Sequence, residues 1–98
     1  MTVLSIFEIR VTPDALQEAP QLISETLAGT RSQPGCIGVE VTVDIYDPSR
    51  FFLVERWATL ADDDAYRAWR MTPEGAPTVG RILAGPPVLT RTEVHDEL

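Results

Sequence analysis

Trp57, Tyr66 and Trp69 place three large aromatics within one strand-to-helix passage. Rings of this kind wall an apolar slot and stack on a flat ligand. Tyr66 adds a phenol that can hydrogen-bond or relay a proton. Glu40, Asp44, Glu55 and Arg56 lie in the two alternating stretches just before the passage. They suit cross-strand ion pairing, and one of the carboxylates could serve as a base. Other chemistries drop out. The chain contains no lysine, so Schiff-base catalysis on a lysine is excluded. Cys36 is the only cysteine and His95 the only histidine. One chain therefore offers neither a disulfide nor a nitrogen–sulfur metal site, and no metal is expected. The net charge of −7 disfavours nucleic acid and anionic membrane surfaces, which need a basic footprint. A neutral or weakly charged apolar ligand fits this balance.

The elements that must position these residues follow from periodicity. Val3 to Val11 alternates, with Val3, Ser5, Phe7, Ile9 and Val11 on one side, and reads as a strand. Thr12-Pro13-Asp14 is a helix start. Leu16, Ile23 and Leu27 mark a helical face, which Pro20 either kinks or restarts. Pro34-Gly35 is a type II turn signal ahead of a strand from Cys36 to Tyr46. That strand places Ile37, Val39, Val41, Val43 and Ile45 on one side. Asp47-Pro48-Ser49-Arg50 reads as the hairpin turn into a strand from Phe51 to Ala58. This strand groups Phe51, Leu53, Glu55 and Trp57. Thr59 to Asp62 resembles a capping box opening the helix that carries Tyr66 and Trp69. Asp62-Asp63-Asp64 reads as its solvated first turn, with Arg67 and Arg70 favourable toward its end. A shorter helical segment is expected from Thr72 to about Ala84, then a last strand from Val88 to Val94.

Strand, helix, strand, strand, helix, strand is the ferredoxin-like βαββαβ order: an α+β fold with a four-stranded antiparallel sheet. Residues 1–98 make one domain. Helices on one side leave the other sheet face bare, and a second copy is the expected cover. A small apolar pocket is expected between sheet and helices. The N-terminus lacks the marks of a signal peptide and no run approaches the roughly 18 apolar residues of a span, so a cytoplasmic address is expected. Cys36 reads as a small buried hydrophobe and His95 as a surface residue.

Pro34-Gly35-Cys36-Ile37-Gly38, the hairpin with Asp47-Pro48, Glu55-Arg56-Trp57-Ala58-Thr59 and Ala65-Tyr66-Arg67-Ala68-Trp69 together resemble the antibiotic biosynthesis monooxygenase superfamily. The interval from Trp57 to Trp69 is longer than that family's usual one. The resemblance implies a homodimeric α/β barrel. One branch comprises cofactor-free oxygenases of polycyclic anthrones, using neither metal nor flavin. Carried over, it implies Trp57, Tyr66 and Arg81 as catalytic residues, with Phe7, Leu53 and Trp69 against a small hydrophobic aromatic substrate. Arg81 would face the developing enolate oxygen. The branch's asparagine falls on Leu53, and this chain has no asparagine. A second branch degrades haem. Trp69 matches its tryptophan, while Phe7 and Thr78 stand near its asparagine and histidine positions. A third reading is a non-catalytic dimeric barrel that binds a small ligand or serves in stress handling. Packing alone would also account for Trp57, Tyr66 and Trp69.

Overall fold

A computed structural model describes residues 1–98. Four strands form one antiparallel sheet in the order β2–β3–β1–β4, with β1 at Val3–Arg10, β2 at Cys36–Asp44, β3 at Asp47–Trp57 and β4 at Val88–Glu93. Two helices, α1 at Ala19–Arg31 and α2 at Leu60–Arg70, lie on the same side. This is the ferredoxin-like α+β fold. Neither helix is long and apolar enough to cross a membrane.

Pro20 restarts the first helix rather than kinking it. Pro13–Ala15 forms a single 3-10 turn, and α1 then begins with Pro20 in its first turn, where the missing N–H has no partner to lose. Leu22, Ile23 and Leu27 of α1 pack on Ile9, Phe51 and Leu53 to make the main core. Gly35 takes φ +80°, as the Pro-Gly turn requires, and a Cβ there would meet the Asp62 side chain at 2.2 Å. Thr59 caps α2 by accepting the Asp62 N–H at 3.1 Å.

Three expectations change. The hairpin turn is Ile45–Tyr46, not Asp47 to Arg50, since Asp44 already faces Asp47 in the ladder. The short polar side chains act on either flank of it: Asp44 accepts the Tyr46 N–H at 2.8 Å, and Asp47 accepts the Ser49 N–H at 3.0 Å. In β2 an irregularity between Cys36 and Gly38 breaks the strict alternation. Val39, Val41 and Val43 lie opposite Glu55, Leu53 and Phe51, but of these only Val39 is half-buried; Val41 and Val43 are exposed, as is Ile37, and Ile45 stands out in the turn. The segment after α2 is irregular, with one 3-10 stretch at Thr78–Ile82.

The register divides the sheet cleanly. Ser5, Phe7, Leu53 and Glu55 share the helix-covered face, because Ser5 faces Glu55 and Phe7 faces Leu53. Leu4, Ile6, Phe52 and Val54 share the bare face and are all half-buried.

Candidate active site

β3 ends by delivering Glu55 and Trp57 beneath α2, and both are buried. The Trp57 ring lies 4.9 Å from that of Tyr66, and Tyr66 lies 6.2 Å from Trp69. The spacing of Tyr66 and Trp69 on α2 sets them on neighbouring turns, so three rings form one tilted ladder. Phe7 and Leu53 pair on the same sheet face, with the Ser5–Glu55 pair between them and the Val3–Trp57 pair. Phe7 stays half-buried, and Leu89, opposite it on β4, is exposed.

Trp69 is wedged in place. A Cβ on Gly75 would fall 2.0 Å from the Trp69 carbonyl oxygen, so only glycine lets the chain after α2 fold back this closely. The Tyr66 hydroxyl accepts from Arg70 Nε at 2.8 Å and is 2.8 Å from Thr30 Oγ1. Arg70 also donates to the carbonyls of Thr26 and Gly75 and to Thr30 Oγ1. Its cation has no carboxylate partner; it is held by these oxygens and by the faces of Tyr66 and Trp69.

A charged cluster lies beside the ladder. Asp63 is wholly buried, accepts from Ser5 Oγ at 2.7 Å and from Arg91 Nε at 2.9 Å, and has Arg67 Nε 3.1 Å away. The angle of that last approach leaves Asp63 Oδ1 and Arg67 Nε enclosed without a hydrogen bond. Glu55 Oε1 accepts from both Trp57 Nε1, at 3.1 Å, and Arg67 Nη2. Burial pushes the Glu55 carboxyl above the ordinary range. The Arg67 charge and the two hydrogen bonds oppose that shift, and Asp63 adds to it. Arg67 itself lies 4.9 Å over the Tyr66 ring and 5.7 Å over Phe7.

The structure thus brings Trp57, Tyr66, Trp69, Phe7 and Leu53 to one side of the sheet. Arg81 is placed elsewhere. It sits in the 3-10 stretch, its side chain 64% exposed, 3.6 Å from Glu18. Glu18 precedes α1, so this pair lies at the far end of that helix from Thr30 and Tyr66. The largely apolar cavity between sheet and helix, about 370 Å³, also lies away from the ladder. It opens between α1 and β2, lined by Ile23, Leu27, Arg31, Val41, Val43 and Phe51 among others. Thr78 lies 3.4 Å from Thr26 at the hydroxyl oxygens. His95 is a surface residue beside Glu93 and Glu97.

Sequence reasoning missed the buried role of Asp63, which is not a solvated first-turn acid, and of Arg67, Arg70 and Arg91. One signal was present. Ser5 and Glu55 are polar interruptions in otherwise apolar stripes, Val3-Ser5-Phe7 and Leu53-Glu55-Trp57. A buried carboxylate there requires cations from elsewhere in the fold.

The sequence profile described as "Antibiotic biosynthesis monooxygenase" matches residues 2–76. Among curated proteins none matches. Several solved structures share the fold. One is a crystal structure of an antibiotic biosynthesis monooxygenase, 21% identical, TM-score 0.78, with 95% of this chain and 98% of that one covered. Another is Rv0793 from Mycobacterium tuberculosis, 23% identical, TM-score 0.78, with 99% and 98% covered. A third is a mutant form of SnoaB, a cofactor-independent oxygenase from Streptomyces nogalater, 14% identical, TM-score 0.81, with 99% and 96% covered.

Proposed function

The chain belongs to the antibiotic biosynthesis monooxygenase family, and from that premise we propose that it is a cofactor-independent monooxygenase acting on a flat, anthrone-type aromatic. The observation that carries this reading is the ring ladder of Trp57, Tyr66 and Trp69, linked to Phe7 on the covered sheet face by the Arg67 guanidinium. Trp57 and Tyr66 are buried, so the surface open to a planar tricyclic acid is the half-buried Phe7 with the exposed Leu89 opposite it. Such a substrate supplies most of the reactivity, since its enolate gives an electron to O₂ without help from a metal or flavin. The protein must exclude water and hold the ring.

Oxygen uptake with dithranol tests this. The wild-type protein is expected to accelerate uptake over buffer, with the rate lowered at least tenfold in Tyr66→Phe, which removes the hydroxyl that joins Arg70 to Thr30. Arg81→Ala asks separately whether the exposed guanidinium reaches the substrate. No acceleration by the wild-type protein would refute the reading. One observation favours a second reading, a ligand-binding barrel without turnover. The Tyr66 hydroxyl already has both its bonds in use and Trp57 is sealed, as packing residues would be. Saturable dithranol binding without oxygen uptake would support that alternative.

The working unit in this proposal is a homodimer. Leu4, Ile6, Phe52 and Val54 form an apolar stripe on the bare face, bounded by Arg50 with Glu8 and Asp44 at one end and by Glu40 and Arg56 at the other. An apolar centre with a charged rim is the make-up of a subunit interface. Sedimentation at micromolar concentration is expected to give a dimer, and Ile6→Arg a monomer. A wild-type protein that sediments as a monomer at every concentration would remove the second subunit.

A further inference from the structure

We propose that the slot between α1 and β2 is a second ligand site, one that takes a medium-chain fatty carboxylate: the acyl chain lies along the apolar slot and the carboxylate meets Arg31. This goes beyond the monooxygenase reading and does not rest on it.

The slot has an apolar floor and an uncovered wall. Its volume is about 370 Å³, within the range of small-molecule sites. Ile23, Leu27 and Phe51 line it from the main core and are buried, whereas Val41 and Val43 are 41% and 46% exposed. Val41 and Val43 lie opposite Leu53 and Phe51, so they belong to the helix-covered face of the sheet. A second copy seated on Leu4, Ile6, Phe52 and Val54 covers the other face and leaves this slot open. The two valines therefore keep apolar surface in water that an acyl chain would cover.

The shape favours a chain over a flat ring. On α1 the lining runs from Pro20 to Arg31, a rise of roughly 16 Å at 1.5 Å per residue. Ile23 and Leu27 stand one turn apart on the helix, and Val41 and Val43 are alternate residues of β2. Two facing rows of branched aliphatic side chains make a long, narrow channel.

Charge fixes which end holds the head group. The chain carries fifteen acidic residues and eight arginines, yet no carboxylate lines the slot and Arg31 is its only charge. Arg10, Arg50, Arg67, Arg81 and Arg91 each pair with a carboxylate, but Arg31 pairs with none. Its Nη2 donates to the Val39 carbonyl at 3.0 Å, across the gap between α1 and the edge strand β2. That bond holds the guanidinium at the end of the slot and leaves Nε and Nη1 without a protein partner. A held guanidinium with free N–H groups recognises a carboxylate. The aliphatic walls offer nothing to a second polar group, so the ligand is an apolar chain with a single anionic end.

Carbon-13 methyl NMR of the full chain, titrated with octanoate and separately with its neutral isostere octanamide, tests this. Octanoate is expected to shift the Leu27, Val41 and Val43 methyl signals saturably and to bind about tenfold or more tighter than octanamide, the worth of a hydrogen bond between charged groups. Arg31→Gln should weaken octanoate by that factor and leave octanamide unchanged. Ser24→Trp, at an exposed position on the edge of the slot, should abolish binding of both. The proposal is overturned by the absence of saturable shifts, by shifts confined to Leu4 and Val54 of the bare face, or by octanoate binding that survives either substitution intact. If Ser24→Trp fails to fold, Arg31→Gln still decides, because its side chain lies on the surface. None of these results bears on oxygen uptake with dithranol, so the monooxygenase reading stands or falls separately.

Discussion

Replacing Asp63 with alanine is expected to cost about 3–5 kcal/mol of folding free energy, the usual penalty for removing one partner of a buried ion pair. Asp63 is wholly enclosed and meets three groups at once: Ser5 Oγ from β1, Arg91 from β4 and Arg67 one turn along α2. Without it, Arg67 keeps Glu55 and Arg91 keeps Asp64, but both lose the carboxylate they share. The Ser5 hydroxyl is left buried without an acceptor. α2 then has no ionic tie to β4 through its buried face. Asp64 provides the control. It also binds Arg91, but its side chain is 59% exposed, so Asp64→Ala should change stability by no more than about 0.5 kcal/mol. Urea denaturation at one fixed protein concentration measures both, since subunit pairing would make the midpoint depend on concentration. A loss below about 1 kcal/mol in Asp63→Ala would show that solvent enters and compensates the freed guanidiniums.

Trp57→Ala is expected to cost about 3–5 kcal/mol in its own right, as large aromatic truncations in cores do. Trp57 has no exposed surface, packs with Val3 and Tyr66, and donates its indole N–H to Glu55. It is the joint between the end of β3 and the start of α2. Trp57→Phe separates the two contributions. It keeps most of the ring bulk and the contact with Tyr66 but removes the donor to Glu55. Its cost should be about 1.5–3 kcal/mol, the worth of one hydrogen bond to a carboxylate, since Glu55 Oε1 still accepts from Arg67 Nη2. If Trp57→Phe and Trp57→Ala cost the same, the hydrogen bond and not the packing would be the governing term. For a domain whose total stability is about 5–15 kcal/mol, either alanine variant threatens folding at ordinary temperature.

Much of the architecture was legible without coordinates. β1 and β3 alternate strictly, Pro13 and Pro20 mark helical starts, and Pro34-Gly35 demands positive φ at the glycine. These are local rules: side-chain period, missing N–H groups and Cβ sterics act within a few residues. The hairpin turn was misplaced because Asp47-Pro48-Ser49 has turn composition, yet β3 forms an outer ladder there through Asp44 facing Asp47. Turn residues can be satisfied at the root of a hairpin as well as at its tip.

Residue type and spacing alone placed Trp57, Tyr66 and Trp69 near one junction, and grouped Glu55 with Phe51, Leu53 and Trp57 on one strand face. Which cations answer the Glu55 charge was decided by tertiary structure. Arg67 and Arg70 sit on the same helix, three residues apart, with the same local surroundings. One turns to the sheet and pairs with Glu55 and Asp63; the other turns to α1 and binds Tyr66 and Thr30. Arg81 and Arg91 are equally indistinguishable by type, yet Arg91 enters the buried cluster and Arg81 meets Glu18 at the surface. Local propensities act over a turn or a strand, whereas the pairing of a buried charge depends on which distant segments the packed sheet brings within a few ångströms, and only the assembled fold sets that distance.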